Sequence, residues 1–192
     1  MALEGLRVAV VDSDGPLGAP AVAALRAAGA AVAAVPLTAD GDATEGVARA
    51  IAELGGLDVL ANLTKPTAGA RPAVEVTRAD FDDVFKRCLR AARTSNQAAF
   101  RHFTADGAGG GHVVNHAEEA GELGEAGRAL PATVAQAVVA WSHAAAGAWF
   151  FQGVRVNIFQ PGSGANVDGA VLPTLLFLLG GDSSSHNTVV SC

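Results

Sequence analysis

Short runs of apolar, often β-branched residues alternate along this chain with longer stretches of helical periodicity. That alternation limits the possible folds more than any other feature. Residues 6–11, 31–37, 58–63, 112–116, 154–159 and 188–191 read as strands. Most are continuous apolar runs rather than in-out alternations, the mark of strands buried on both faces of a parallel sheet. Between them lie helical segments. Residues 19–28 end at Gly29, a natural C-terminal stop, and residues 44–54 place Val47, Ile51 and Leu54 on one face. Thr77 caps a helix from about residue 78 to 103, with Phe81, Val84, Phe85, Leu89 and Phe100 among its apolar positions. Pro131 opens a long apolar helix over residues 132–151, and residues 171–179 form a last helix despite Pro173. Strand-helix alternation implies a doubly wound, mostly parallel sheet of about six strands with helices on both faces, a three-layer α/β/α architecture. No repeat, low-complexity tract or linker interrupts it, so residues 1–192 are expected to form a single domain.

Composition excludes several functions. Half of the residues are hydrophobic and 17% are charged, which rules out disorder. A net charge of −6 with scattered Lys and Arg argues against nucleic acid as a partner. The first seven residues hold no apolar leader core. The helix over 132–151 contains Thr133, Gln136, Ser142 and His143, so it reads as a buried helix rather than a membrane span. A cytoplasmic protein is the expectation. Cys88 and Cys192, one in a helix and one at the last position, make neither a disulfide framework nor a metal site. There is no tyrosine.

The order of motifs resembles the short-chain dehydrogenase/reductase family: strand, glycine turn and helix over residues 7–29, then Asp58-Val59-Leu60-Ala61-Asn62, Val113-Val114-Asn115, and Arg155-Val156-Asn157 followed by Pro161-Gly162. The resemblance implies a Rossmann-like fold and NAD(P) binding through a TGxxxGxG turn. Counted back from Gly29, that turn falls on residues 11–18, and its glycines become Asp12, Pro16 and Gly18. Small residues are needed there because backbone must approach the pyrophosphate. Pro16 removes an amide, and Asp12 and Asp14 add negative charge beside an anionic ligand. Gly15, Gly18 and Asn62 are at most vestiges of a cofactor site.

The resemblance also places the family's catalytic residues. Its Asn falls on Cys88, its Ser on Glu118, its Tyr on Pro131 and its Lys on Ala135. None of the replacements reproduces the Tyr–Lys proton transfer. One strand-helix unit fits between the first helix and Asp58 where the family has two. The ribose-reading acid or base has no counterpart after Pro36-Leu37, and residues 163–170 cross directly the gap that the family fills with a substrate-covering excursion. The family's two long helices pack against a second subunit. By that likeness Phe85, Leu89, Val138, Trp141, Ala145 and Trp149 are the expected interface, with a second copy or an active homologue as partner.

Other readings stand lower. Asp12 and Asp14 after a first strand resemble a receiver domain's Mg²⁺ site, but the third strand ends in Asn62-Leu63-Thr64 without an acceptor aspartate. His116, Glu118, Glu119 and Glu122 could approach a metal, though a solvated acidic loop explains them better. Asn62 and Asn115 suit turns beside their strands, and Cys88 suits a core thiol. The expectation is therefore a catalytically inactive subunit kept for assembly, with no cofactor. The alternatives are a divergent NAD(P)-dependent oxidoreductase acting on a carbonyl or hydroxyl substrate, and a binding module for another ligand in the cleft.

Overall fold

The computed structural model describes residues 3–66, 69–107, 109–119, 125–162, 165–180 and 185–192. Among these, six strands form one parallel sheet: β1 (Arg7–Val11), β2 (Ala31–Val35), β3 (Val59–Asn62), β4 (Gly111–His116), β5 (Val154–Gln160) and β6 (Val189–Ser191). Their spatial order is β2-β1-β3-β4-β5-β6. Val8 pairs with Val32 on one side and Val59 on the other, and Asn62 lies beside Asn115. Among the described residues, six α-helices cover the sheet: α1 (Gly18–Ala27), α2 (Thr44–Leu54), α3 (Arg78–Val84), α4 (Ala91–Phe103), α5 (Ala129–Trp149) and α6 (Leu172–Leu179). The expected three-layer α/β/α fold is what the chain adopts.

Period-two alternation sorts each strand between two cores. Val8 and Val10 pack with Leu25, Phe159, Leu175 and Leu178 beneath α1 and α6. Ala9 and Val11 point the other way, onto Val47, Phe103, Val113 and Ala146 beneath α2, α4 and α5. A third cluster joins Val84, Cys88, Val134, Val138 and Ile158 where the α3–α4 rod crosses α5. Each fully buried Val, Leu or Phe contributes about 1.5–3 kcal/mol, which makes these two faces the source of stability.

Local chemistry sets the helix ends. Thr77 and Asp80 form a reciprocal capping box at the start of α3. Pro173 sits in the first turn of α6, where its missing amide costs nothing, and so leaves the helix intact. Helix α5 begins at Ala129, two residues before the expected start at Pro131. The rod over 78–103 is not uniform: Phe85–Arg90 is π-helical, a widening that periodicity does not reveal.

Between α1 and β3 lies a single strand-helix unit, β2 and α2, so β2 forms the sheet edge. Strand order reverses at β1 and β3. A crevice therefore opens at their carboxyl ends, the position where open α/β sheets hold ligands.

Candidate functional site

The turn leaving β1 is built around Asp12. This residue is 1% exposed and takes φ +62°, a backbone that L residues adopt at a cost. Its carbonyl accepts from the Gly15 amide at 2.9 Å. An ideal Cβ on Gly18 would lie 1.9 Å from that carbonyl oxygen, and one on Gly15 would lie 2.5 Å from the Asp12 Oδ2. Both glycines are thus required, but what they make room for is Asp12 itself. Arg87 donates from Nη2 to Asp12 Oδ1 at 2.9 Å and from Nε to the Lys65 carbonyl at 3.2 Å, bridging the β1 and β3 loops. Oδ2 is buried with no hydrogen-bond partner. Burial, the largest influence, pushes the Asp12 carboxyl above its ordinary range; Arg87 opposes this and Asp14 adds to it.

Amide donors are scarce where α1 begins. Pro16 and Pro20 have none, and the Ala19 amide is used by the Gly15 carbonyl at 3.1 Å. Pro20 escaped the sequence reading because it lies beyond the glycine motif. On the other flank, the loop after β2 folds inward. The Ala43 amide donates to Thr94 Oγ1 at 3.0 Å, and Arg90 pairs with Asp40 and Asp42 at 3.3 and 3.5 Å.

At the ends of β3 and β4, polar side chains face one another in full burial. Asn62 donates to Asn115 Oδ1 at 3.4 Å, and Asn115 donates to Ser142 Oγ at 3.0 Å. With its amide oriented to suit these donors, Asn96 accepts from Asn115 Nδ2 at 2.8 Å and from the Trp141 indole at 3.2 Å. The network ties β3 and β4 to α4 and α5. Asn62 and Asn115 thus join a side-chain network between strands and helices, where the sequence suggested that they hold turns.

Cys88, Glu118 and Ala135 border one small cavity, together with Thr64, His116 and Val138. Cys88 is buried, and desolvation, its largest influence, pushes the thiol up to about 12. Glu118 pairs with Arg128 at 2.7 Å and with Lys65 at 3.4 Å. Pro131 is buried in the first turns of α5 and borders a separate depression beside Arg71 and Asp80. His116 is 4% exposed and bonds the Thr64 carbonyl through Nδ1 at 2.8 Å. That acceptor places the proton on Nδ1 and leaves Nε2 as a lone pair. Burial lowers the affinity of this ring for a second proton. Beyond it opens a cavity of about 280 Å³, lined by Leu17, Lys65, His116, Glu118, Arg128 and Val171 among others.

A family profile described as short chain dehydrogenase matches residues 1–167. The chain belongs to the short-chain dehydrogenase/reductase family. The sorbitol dehydrogenase of Cereibacter sphaeroides is 29% identical over 83% of this chain and 61% of its own length. The 2-dehydro-3-deoxy-D-gluconate 5-dehydrogenase of Escherichia coli is 32% identical over 66% of this chain and 51% of its own length. The chain thus covers less than two thirds of either relative. In fold it is similar to a short-chain dehydrogenase from Mycobacterium avium (TM-score 0.90, 18% identity, 100% of this chain and 84% of that one). It is also similar to one from Burkholderia cenocepacia in complex with NADP (TM-score 0.84, 23% identity, 100% and 97%).

Short-chain dehydrogenases bind a dinucleotide, and in this chain the turn after β1 holds a side chain instead of open space. The orphaned, buried Asp12 Oδ2 fills the space that Gly15 leaves open, and two prolines remove amides beside it. The family's Asn, Ser and Lys positions still converge in space, but on Cys88, Glu118 and Ala135. None of the three is the side chain that the family places there.

Among the described residues no group of His, Cys, Asp and Glu is placed to hold a metal. Glu122, weighed for that role, lies outside them. No helix among them is long and apolar enough to cross a membrane.

The residues expected at an interface divide. Val138 and Ala145 face the chain's own sheet, 1% and 6% exposed, and belong to its core rather than to an outward face. A helix apolar nearly all round does not reveal its inward stripe, which is why they were misplaced. Phe85 stacks on Phe81 at 4.2 Å, Trp149 stacks on Phe100 at 4.5 Å, and Leu89 is half-buried. Trp141 is half-buried with its indole N–H turned inward to Asn96. The outward face of α5 carries Gln136, Ala140, His143, Ala144, Gly147 and Ala148, with Phe151 93% exposed just beyond it.

Proposed function

We propose that this chain is a non-catalytic member of the short-chain dehydrogenase/reductase family, kept for assembly with a second copy of itself or with a complete relative. The observation that carries this reading is the set of side chains at the family's catalytic positions. Cys88, Glu118, Pro131 and Ala135 do not reproduce the family's Tyr–Lys proton transfer, while the sheet and helices around them are intact. The assembly half of the reading draws on the small residues Ala140, Ala144, Gly147 and Ala148 on the outer face of α5 and on the Phe100–Trp149 stack beside it. Small side chains let two helices approach closely.

The purified chain should show no oxidation or reduction of alcohols, polyols or aldehydes with NAD(H) or NADP(H). Light scattering after size exclusion should give at least twice the mass of one chain, or a complex with a co-purifying dehydrogenase. Turnover that survives repurification would replace this reading by the second one.

That second reading is a divergent NAD(P)-dependent oxidoreductase acting on a carbonyl or hydroxyl group. It draws on His116, a neutral imidazole lining the 280 Å³ cavity, and on relatives that are named as dehydrogenases. A His116→Phe variant would abolish any such turnover.

A further inference from the structure

We infer that the phosphate turn of this chain is closed from within: the Asp12 carboxylate is a built-in occupant, held by Arg87, and it excludes a dinucleotide by filling the turn between β1 and α1. This goes beyond the non-catalytic reading, because a chain without acid–base groups could still bind nucleotide.

One motif glycine survives: Gly18 lies where the Asp12 backbone approaches most closely, and α1 starts there. The room that Gly15 leaves by lacking a side chain holds a carboxylate instead. An ideal Cβ there would meet Asp12 Oδ2, Cγ and Oδ1 at 2.5, 2.7 and 2.9 Å. A helix start with a guanidinium beside it is an environment that recognises a phosphate oxygen. Here the chain supplies that oxygen itself.

Arg87 completes the closure. Its two contacts, one to Asp12 and one to the Lys65 carbonyl, span the β1 and β3 loops across the point where strand order reverses. Asp12 is also the residue at φ +62°, so glycine at this position would relax the backbone as well as empty the turn. Its second oxygen has no hydrogen-bond partner, so the fold keeps this occupant at a cost.

The test uses the whole chain and titration calorimetry with ADP-ribose, NADH and NADPH. The unaltered chain should show no binding up to millimolar ligand. Asp12→Gly should bind ADP-ribose at least tenfold more tightly than the unaltered chain, and adding Arg87→Ala should remove that gain. Asp12→Asn keeps the volume and loses the charge, and should gain nothing. Asp12→Ala empties the same space and should reproduce the gain with some backbone strain at φ +62°.

A folded Asp12→Gly or Asp12→Ala chain that binds no better than the unaltered one overturns the inference. So does an Asp12→Asn chain that gains as much as Asp12→Gly, since charge alone would then be the barrier. Micromolar binding by the unaltered chain overturns it too. The two readings fail separately. Turnover gained by Asp12→Gly would sink the non-catalytic reading and leave the internal occupant standing. An inactive variant with no gain in binding would do the reverse.

Discussion

Two buried histidines make the response of this protein to acid specific. His112 is 1% exposed, accepts from the Asn157 side-chain nitrogen at 2.9 Å, and is held neutral by burial, which lowers its pKa from 6.5 to about 3. His116 is shifted the same way by the same cause. In the unfolded chain both rings take up a proton below about 6.5. Between the folded and unfolded values the unfolded state therefore binds more protons, and stability falls as pH falls. The slope is about 1.4 kcal/mol per pH unit for each ring. The urea midpoint should drop steadily from pH 6.5 to pH 4.5, and His112→Gln should take about 1.4 kcal/mol per pH unit out of that slope. Asp58 acts in a lower window. The Arg7 hydrogen bond lowers its pKa, so its contribution is present above the ordinary value of 3.8 and is lost as pH falls through the lowered one. An unchanged midpoint between pH 6.5 and 4.5 would show the histidines to be solvated. At this scale the sequence was only partly legible. The replaced catalytic positions could be counted along the chain, because the family's spacing persists. The partner of Asp12 could not, because Arg87 lies 75 residues away and meets it only through the π-helical widening of the α3–α4 rod.

Helix α5 carries a glycine that its own fold does not need. A Cβ added at Gly147 would meet nothing within 4 Å, and the residue sits in the last turns of a 21-residue helix. Glycine inside a helix costs about 0.8–1 kcal/mol relative to alanine. Gly147→Ala should therefore raise the stability of the isolated chain by about 0.5–1 kcal/mol, read as a higher urea midpoint with an unchanged slope. A loss of stability would mean that the outer face of α5 is crowded. The elements were readable because each type leaves its own period. Continuous apolar runs mark the buried strands, and Thr77 with Asp80 marks the start of α3. The orientation of α5 was not readable. Its alanines are nearly uniform around the helix, so only packing against the sheet distinguishes the buried Ala145 from the exposed Ala144.

The fold as a whole followed from rules that hold for any parallel sheet: apolar strands alternating with helices, right-handed connections, and a crevice where strand order reverses. Assembly follows from no such rule, because a surface that joins two chains is written in the same small and aromatic residues as a core. The outward row on α5 is where the proposed assembly can be tested without disturbing the fold. Ala144 is exposed, so a long charged side chain there can extend into solvent in a lone chain and should shift stability by less than about 0.5 kcal/mol. In a helix-to-helix interface the same side chain would meet the facing backbone and bury a charge without a partner. Ala144→Arg should therefore convert an assembled species to a single-chain mass in light scattering, while circular dichroism and the urea midpoint of the diluted protein stay close to those of the unaltered chain. The chain carries a net charge of −6, so one added positive charge lowers its overall repulsion. Dissociation then reports a local clash rather than a change in net charge. If the mass stays that of the assembly with Arg at 144, the subunits meet elsewhere, and the exposed Phe151 and the Phe81–Phe85 stack become the surfaces to alter next.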